Sequence, residues 1–226
     1  MRIAVICALE YEINKLCELM DSAYDDEING VSVTEGTLSG NSLVLALSGV
    51  GKVNAAATTQ AIISEFYPDA VINVGLAGGC DPTLPVGTAV VATRLCYHDM
   101  DNLIKQGFPD LQHCFLTDPG IQALVKDVLG NMGVPFKEGI IATGDMFVNS
   151  DEVREDIVRR TGCLCVDMDS AAVANVCARN SVPVVSVRVL SDSANETATD
   201  DFSFSAVKYS ELSAEMVSRI CRSLYA

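Results

Sequence analysis

The feature that most limits what this chain can fold into is a repeated alternation of short apolar runs with longer amphipathic ones. Residues 3–7, 42–47, 70–74, 89–93, 139–143, 164–166 and 184–189 read as strands, several of them apolar on both faces. Between them, residues 12–20, 53–66, 120–132, 151–159, 170–180 and 205–224 carry helix-like patterns. Such alternation predicts a mixed, mostly parallel central sheet with helices on both faces, a three-layer α/β sandwich. No fixed-period repeat, low-complexity tract or Pro/Gly/Ser-rich linker interrupts it, so one domain spanning residues 1–226 is expected.

This architecture narrows the search for a site. Ligands of open α/β sheets bind outside the carboxyl ends of the strands, which makes the polar residues after each strand a shortlist. Those exits hold Glu10 and Glu12, the glycine run Gly75 to Gly79, Gly144 with Asp145 and Phe147, Asp167 with Met168 and Asp169, and Ser191 with Asp192.

Charge excludes several partners. With 15 Lys plus Arg against 30 Asp plus Glu, the formal net charge of -15 leaves little basic surface for nucleic acid or an anionic membrane. No apolar stretch approaches the ~18 residues of a membrane span, and the apolar N-terminal run is cut by Glu10 and Glu12 with no small-x-small cleavage site after it. A cytoplasmic protein is expected. The nine cysteines show no Cys-x-x-Cys spacing; the closest pair, Cys163 and Cys165, sits in an apolar run where alternation would put both on one face of a strand, and the cysteines read as small buried residues in a reducing compartment. Only two His are present, neither at ligand spacing from a Cys cluster, so no metal is expected.

Several segments admit two readings. Ser48-Gly49-Val50-Gly51-Lys52-Val53 lacks both the upstream Gly and the Ser or Thr after Lys that a phosphate loop requires, and reads as a strand-to-helix turn. Gly75, Gly78 and Gly79 mark either a plain turn or a close backbone approach to a ligand; they do not match a dinucleotide fingerprint. Glu12 suits the first turn of a helix as well as catalysis, Asp169 an N-cap and Asp192 a turn. His98 with Asp99 and Asp101 reads as a hydrogen-bonded loop rather than a metal site.

Taken together, Ala8-Leu9-Glu10-Tyr11-Glu12, residues 48–56, Asn73 to Gly79, Tyr97-His98-Asp99, Thr143-Gly144-Asp145-Met146-Phe147, Val166-Asp167-Met168-Asp169 and Val187 to Asp192 resemble the purine nucleoside phosphorylase and nucleosidase superfamily. The resemblance is greatest to the 5'-methylthioadenosine/S-adenosylhomocysteine nucleosidases and covers nearly the whole chain. It implies a nucleoside phosphorylase-like fold and hydrolytic release of adenine by a homodimer that needs no cofactor. It also implies roles: Glu12 as the base activating water, Asp192 as the acid toward N7 of the purine, Phe147 stacking on the base and the Val148 backbone reading its edge. Met168 would pack under the ribose and Asp169, beside Asp167, would bind its hydroxyls. Ala77 and Gly78 would approach the nucleoside, and Leu9, Val50 and Phe202 would take the 5' thioether. Where phosphorylases of the superfamily carry an Arg for phosphate, this chain has Val74, which favours water as nucleophile.

The chain also departs from the family. Asp169 stands where the ribose-binding Glu is usual, Leu76 where Ser is usual, and the stretch from Tyr97 to Phe115 is shorter. A phosphorylase, a nucleosidase for another nucleoside, and a nucleoside-binding or storage protein without turnover are the competing expectations.

Overall fold

A computed structural model describes residues 1–101, 104 and 113–225. In chain order the elements are β1 (Arg2–Cys7), α1 (Glu10–Cys17), β2 (Asp21–Ile28), β3 (Val31–Leu38), β4 (Asn41–Leu47), α2 (Lys52–Phe66), β5 (Ala70–Gly79), β6 (Ala89–Tyr97) and β7 (Cys114–Leu116). There follow α3 (Pro119–Met132), β8 (Phe136–Thr143), α4 (Asp151–Thr161), β9 (Cys165–Asp167), α5 (Ser170–Asn180), β10 (Val184–Asp192) and α6 (Ala198–Tyr225).

The strands join in one mixed sheet. β1 lies parallel to β4 and β5, β5 parallel to β10, and β8 parallel to both β6 and β9. Antiparallel pairing joins β10 to β6, β5 to β9, and β2, β3 and β4 in series. Because β10 pairs with both β5 and β6, the strands β5, β10, β6, β8 and β9 close into a ring, and β1, β4, β3 and β2 extend from β5 as an open sheet.

Strand alternation explains the doubly apolar runs. Along β1, Ile3, Val5 and Cys7 face a core shared with Ile13 and Leu16 of α1, Val125 and Leu129 of α3, and Val217 and Ile220 of α6. Ala4 and Ile6 face the opposite core, with Ile62 and Phe66 of α2 and Val173 and Cys177 of α5. A third, smaller cluster under α4 gathers Val148, Ile157, Cys163 and Val166.

Four expectations are corrected. The residues after Val74 are not a loop, since β5 continues through Gly79, paired with β10 along its length and with β9 at its end. Two hairpins, β2–β3 and β3–β4, occupy a segment for which no strand was expected before residue 42; both turn through paired positive φ angles, at Asn29 and Gly30 (54° and 80°) and at Ser39 and Gly40 (52° and 83°), the mirror-image turn that fits strand twist. β9 begins at Cys165, so Cys163 and Cys165 do not share a strand face. Finally, the cysteines are not all free thiols: Cys96 and Cys114, directly opposite in the β6–β7 ladder, form a disulfide.

Candidate active site

The pairing of β5 creates the site. β1 leaves its edge after Asn73, and β9 does not take that edge until Gly78. Residues 74–77 therefore run past a gap in the ladder, and a cavity of about 450 Å³ opens there. Every residue to which the family resemblance gives a place lines it, namely Leu9, Glu12, Val50, Ala77, Gly78, Phe147, Val148, Asp167, Met168, Asp169, Asp192 and Phe202, whereas Glu10, Gly79, Gly144 and Asp145 of the strand-exit shortlist do not. Ser191 and Leu76 of the strand-exit shortlist also line it, and Arg188, Tyr11 and Met146 join the lining without having been singled out as site residues.

The glycines of β5 make room for charged groups. A Cβ at Gly75 would lie 2.7 Å from Arg188 Nη1 and 2.9 Å from Glu12 Oε1, and one at Gly78 would lie 2.9 Å from Asp192 Oδ1. Glycine costs entropy in a strand, and here it lets carboxylates and a guanidinium press against the backbone.

Glu12 is 2% exposed. Its Oε2 accepts hydrogen bonds from the Ala8 and Leu9 N–H groups, each at 3.0 Å, so it serves the start of α1 and lines the cavity at once. Burial pushes its carboxyl up to about 7; Arg188 pulls it back, Asp169 raises it further, and the two N–H groups lower it.

Arg188 anchors the cavity floor. Its Nε donates to Asp167 Oδ2 at 2.8 Å, and its Nη2 donates to Asn73 Oδ1 at 2.7 Å and Asp169 Oδ2 at 2.6 Å. Nη1 is buried without a partner. Asp167 also accepts from Thr143 Oγ1 at 2.6 Å and from Ser170 Oγ. Asp169 stands at the N-cap of α5 but gives it no side-chain cap; its Oδ2 accepts from Asn73 Nδ2 at 3.1 Å as well as from Arg188. Burial raises the Asp169 carboxyl despite Arg188. Burial opposes the Arg188 charge, but Asp169 and Asp167 outweigh it and hold the guanidinium protonated.

At the other end Asp192 is 3% exposed. Its Oδ2 accepts from Ser191 Oγ at 2.7 Å and its Oδ1 from the Ala194 N–H at 2.8 Å, which combines the expected turn role with a place in the cavity. Burial raises its pKa against these two hydrogen bonds, and Asp201 adds to the rise. Above it, Phe147 and Phe202 meet edge to face with centroids 6.0 Å apart.

His98, expected in a hydrogen-bonded loop, is buried outside the cavity. Its backbone N–H donates to Thr143 O at 2.9 Å, and its Nε2 has no partner. Burial lowers its pKa, leaving the ring neutral. Among the described residues no group of three His, Cys, Asp or Glu stands close enough to hold a metal ion.

Comparison with known proteins places the chain and its fold in one lineage. The profile of the phosphorylase superfamily matches residues 2–222. A 5'-methylthioadenosine/S-adenosylhomocysteine nucleosidase of an Exiguobacterium species is 36% identical over 231 residues, covering 99% of each chain. The crystal structure of the Neisseria meningitidis nucleosidase of that name, in complex with methylthio-immucillin-A, superimposes with a TM-score of 0.94 at 38% identity over 98% of this chain and 99% of the other. A futalosine hydrolase mutant of Helicobacter pylori superimposes with a TM-score of 0.93 at 30% identity over 97% of this chain and 98% of that one. The chain belongs to the phosphorylase superfamily and, within it, to the 5'-methylthioadenosine/S-adenosylhomocysteine nucleosidases.

Proposed function

We propose that this protein hydrolyses the N-glycosidic bond of 5'-methylthioadenosine, S-adenosylhomocysteine or both, releasing adenine. The observation that carries the reading is the pair of buried carboxylates lining one cavity, Glu12 under the influence of Arg188 and Asp192 with no cation bearing on it among the described residues. Cleavage of such a bond needs a base to activate water at C1' and an acid to protonate the departing purine.

Glu12 is the base. Its Oε1 and Arg188 Nη1 both face Gly75, and a water donating to the first and accepting from the second is aimed by two fixed groups. Asp192 is the acid: burial favours its neutral form, which can deliver a proton to N7. Phe147 stacks on the purine, the Val148 backbone reads its edge, and Ala77 and Gly78 let the nucleoside lie close to β5. Met168 packs under the ribose. Asp169 binds the ribose hydroxyls through Oδ1, the oxygen that Arg188 and Asn73 do not use. Leu9, Val50 and Phe202 receive the 5' thioether.

On this reading the protein is a cytoplasmic homodimer. The groove lined by Lys52, Val53, Ala56, Tyr97, Asp99, Met100 and Ala172 supports pairing, because Val53 there is 78% exposed. No helix among the described residues is long and apolar enough to cross a membrane.

The deciding experiment incubates purified protein with methylthioadenosine, S-adenosylhomocysteine, futalosine and inosine, with and without phosphate, and identifies the products. Adenine with free sugar, independent of phosphate, is the expected result. Sugar phosphate as product, or binding with no product, would overturn it. Futalosine turnover exceeding that of the two thioethers would instead move the chain's substrate toward that of its Helicobacter neighbour.

A further inference from the structure

Helix α2 starts behind Gly51, which brings no capping side chain and sits at φ 103°, a left-handed conformation suited to glycine. Its cap comes from a distant segment: Asp145, just past β8, accepts the Lys52 N–H through Oδ1 at 2.8 Å. A Cβ on Gly51 would lie 3.3 Å from that oxygen, so the turn is shaped for the incoming carboxylate. The Lys52 ammonium then meets Asp99 Oδ2 at 2.5 Å and Asp145 Oδ2 at 3.6 Å. Asp99, just past β6, accepts the Asp145 N–H at 3.0 Å. Beneath this cluster Gly144 packs on the His98 ring, with which any Cβ there would collide.

The cluster sits between two walls of the cavity. Val50 immediately precedes Gly51, and Met146 and Phe147 immediately follow Asp145; all three line the cavity. We propose that Asp145 is a positioning residue: by capping α2 and pairing with Lys52, it fixes the Phe147 segment relative to the Val50 turn, so that the surface receiving the purine is formed before substrate arrives. The proposal rests on the reading that Phe147 stacks on the base. Partly exposed ion pairs contribute little to global stability, so the effect belongs in substrate binding rather than in melting temperature. A preformed surface spares the ordering cost of binding, and its loss weakens ground and transition states alike, raising KM with kcat unchanged.

The test is a kinetic cycle on adenine release by the full chain: wild type, Asp145→Ala, Asp145→Asn, Phe147→Ala and the double variant Asp145→Ala/Phe147→Ala. Asp145→Ala is expected to raise KM about tenfold with kcat within about twofold. Asp145→Asn, which keeps an acceptor for the Lys52 N–H, is expected to recover most of that loss. Because Asp145 acts through Phe147, the double variant should match Phe147→Ala alone. Multiplied KM effects in the double variant, an unchanged KM in Asp145→Ala, or a loss confined to kcat would overturn the proposal. If Phe147→Ala leaves KM unchanged, the stacking reading fails and takes this inference with it, whereas multiplied effects sink the inference alone. Should Asp145→Ala not fold, Lys52→Met replaces it in the same cycle, with the same outcomes on either side.

Discussion

The two ends of the cavity bury acid in different company. Around Arg188 stand Glu12, Asp167 and Asp169, so a single guanidinium offsets part of a concentrated negative charge. Among the described residues Asp192 accepts from a hydroxyl and a backbone N–H, and Asp201, the charged group that bears on it, is itself acidic. Burial disfavours a carboxylate at both ends, and the neighbours then set each group's protonation. With a cation near, Glu12 is left close to neutrality, where a general base is most effective. With none bearing on it among the described residues, Asp192 is biased by burial toward the neutral form that a proton donor requires. Burial raises both carboxyls, so the division into base and acid rests on where each stands against the nucleoside as well as on its neighbours.

The sharpest way to break this contrast is to remove the proton while keeping the shape. Asp192→Asn retains an oxygen that can accept from Ser191 or Ala194 and cannot deliver a proton to the purine. Adenine release is expected to fall by about 1000-fold in kcat with an unchanged circular dichroism spectrum. Full activity in this variant would remove Asp192 from the acid role.

Taking away the cation tests the other end. Arg188→Met leaves Asp167 and Asp169 buried, with their hydroxyl and amide partners but no positive charge. Breaking a buried ion pair from one side costs about 3–5 kcal/mol, which urea unfolding at pH 8 would read as a lowered midpoint. The acid limb of the pH–rate profile should also move upward, because Arg188 is the strongest influence holding the Glu12 carboxyl down. An unchanged midpoint would mean that the network is not the charge-compensated cluster its geometry describes.

The core strands and the carboxylates are legible in the sequence because both follow simple periodic rules. Doubly apolar runs mark buried strands, and Glu12 and Asp192 fall where such runs end. Other features are hidden in the sequence where tertiary packing overrides local preference. Glycine is rare within strands, so Gly75 to Gly79 looked like a loop, although in β5 the missing side chains make space for Arg188, Glu12 and Asp192. Arg188 itself sits among valines, and only the carboxylates gathered from β9 and the start of α5 reveal its purpose. The polar strand β2, exposed along its length, shows no apolar alternation; the Asn29-Gly30 pair was its one legible sign. β7 is three residues long, too short for a pattern, and the disulfide it carries depends on a partner 18 residues away in sequence.

The gentlest probe of the contrast asks whether Glu12 titrates where its surroundings place it. Its carboxyl rises from 4.5 to about 7 on folding, so between those values the native state holds a proton that the unfolded chain has released. That difference in bound protons fixes the sign. The stabilising contribution of the protonated group is fully present below pH 4.5 and is lost as pH rises through about 7. Above that, wild type carries a buried charge costing about 3 kcal/mol relative to a neutral side chain. Glu12→Gln is neutral throughout and can still accept from the Ala8 and Leu9 N–H groups. Urea unfolding should therefore find the variant more stable than wild type at pH 8, with most of that advantage gone at pH 5, even though adenine release is lost. An advantage equal at both pH values would show that Glu12 does not titrate in this window, and the base would then need an explanation other than its burial against Arg188.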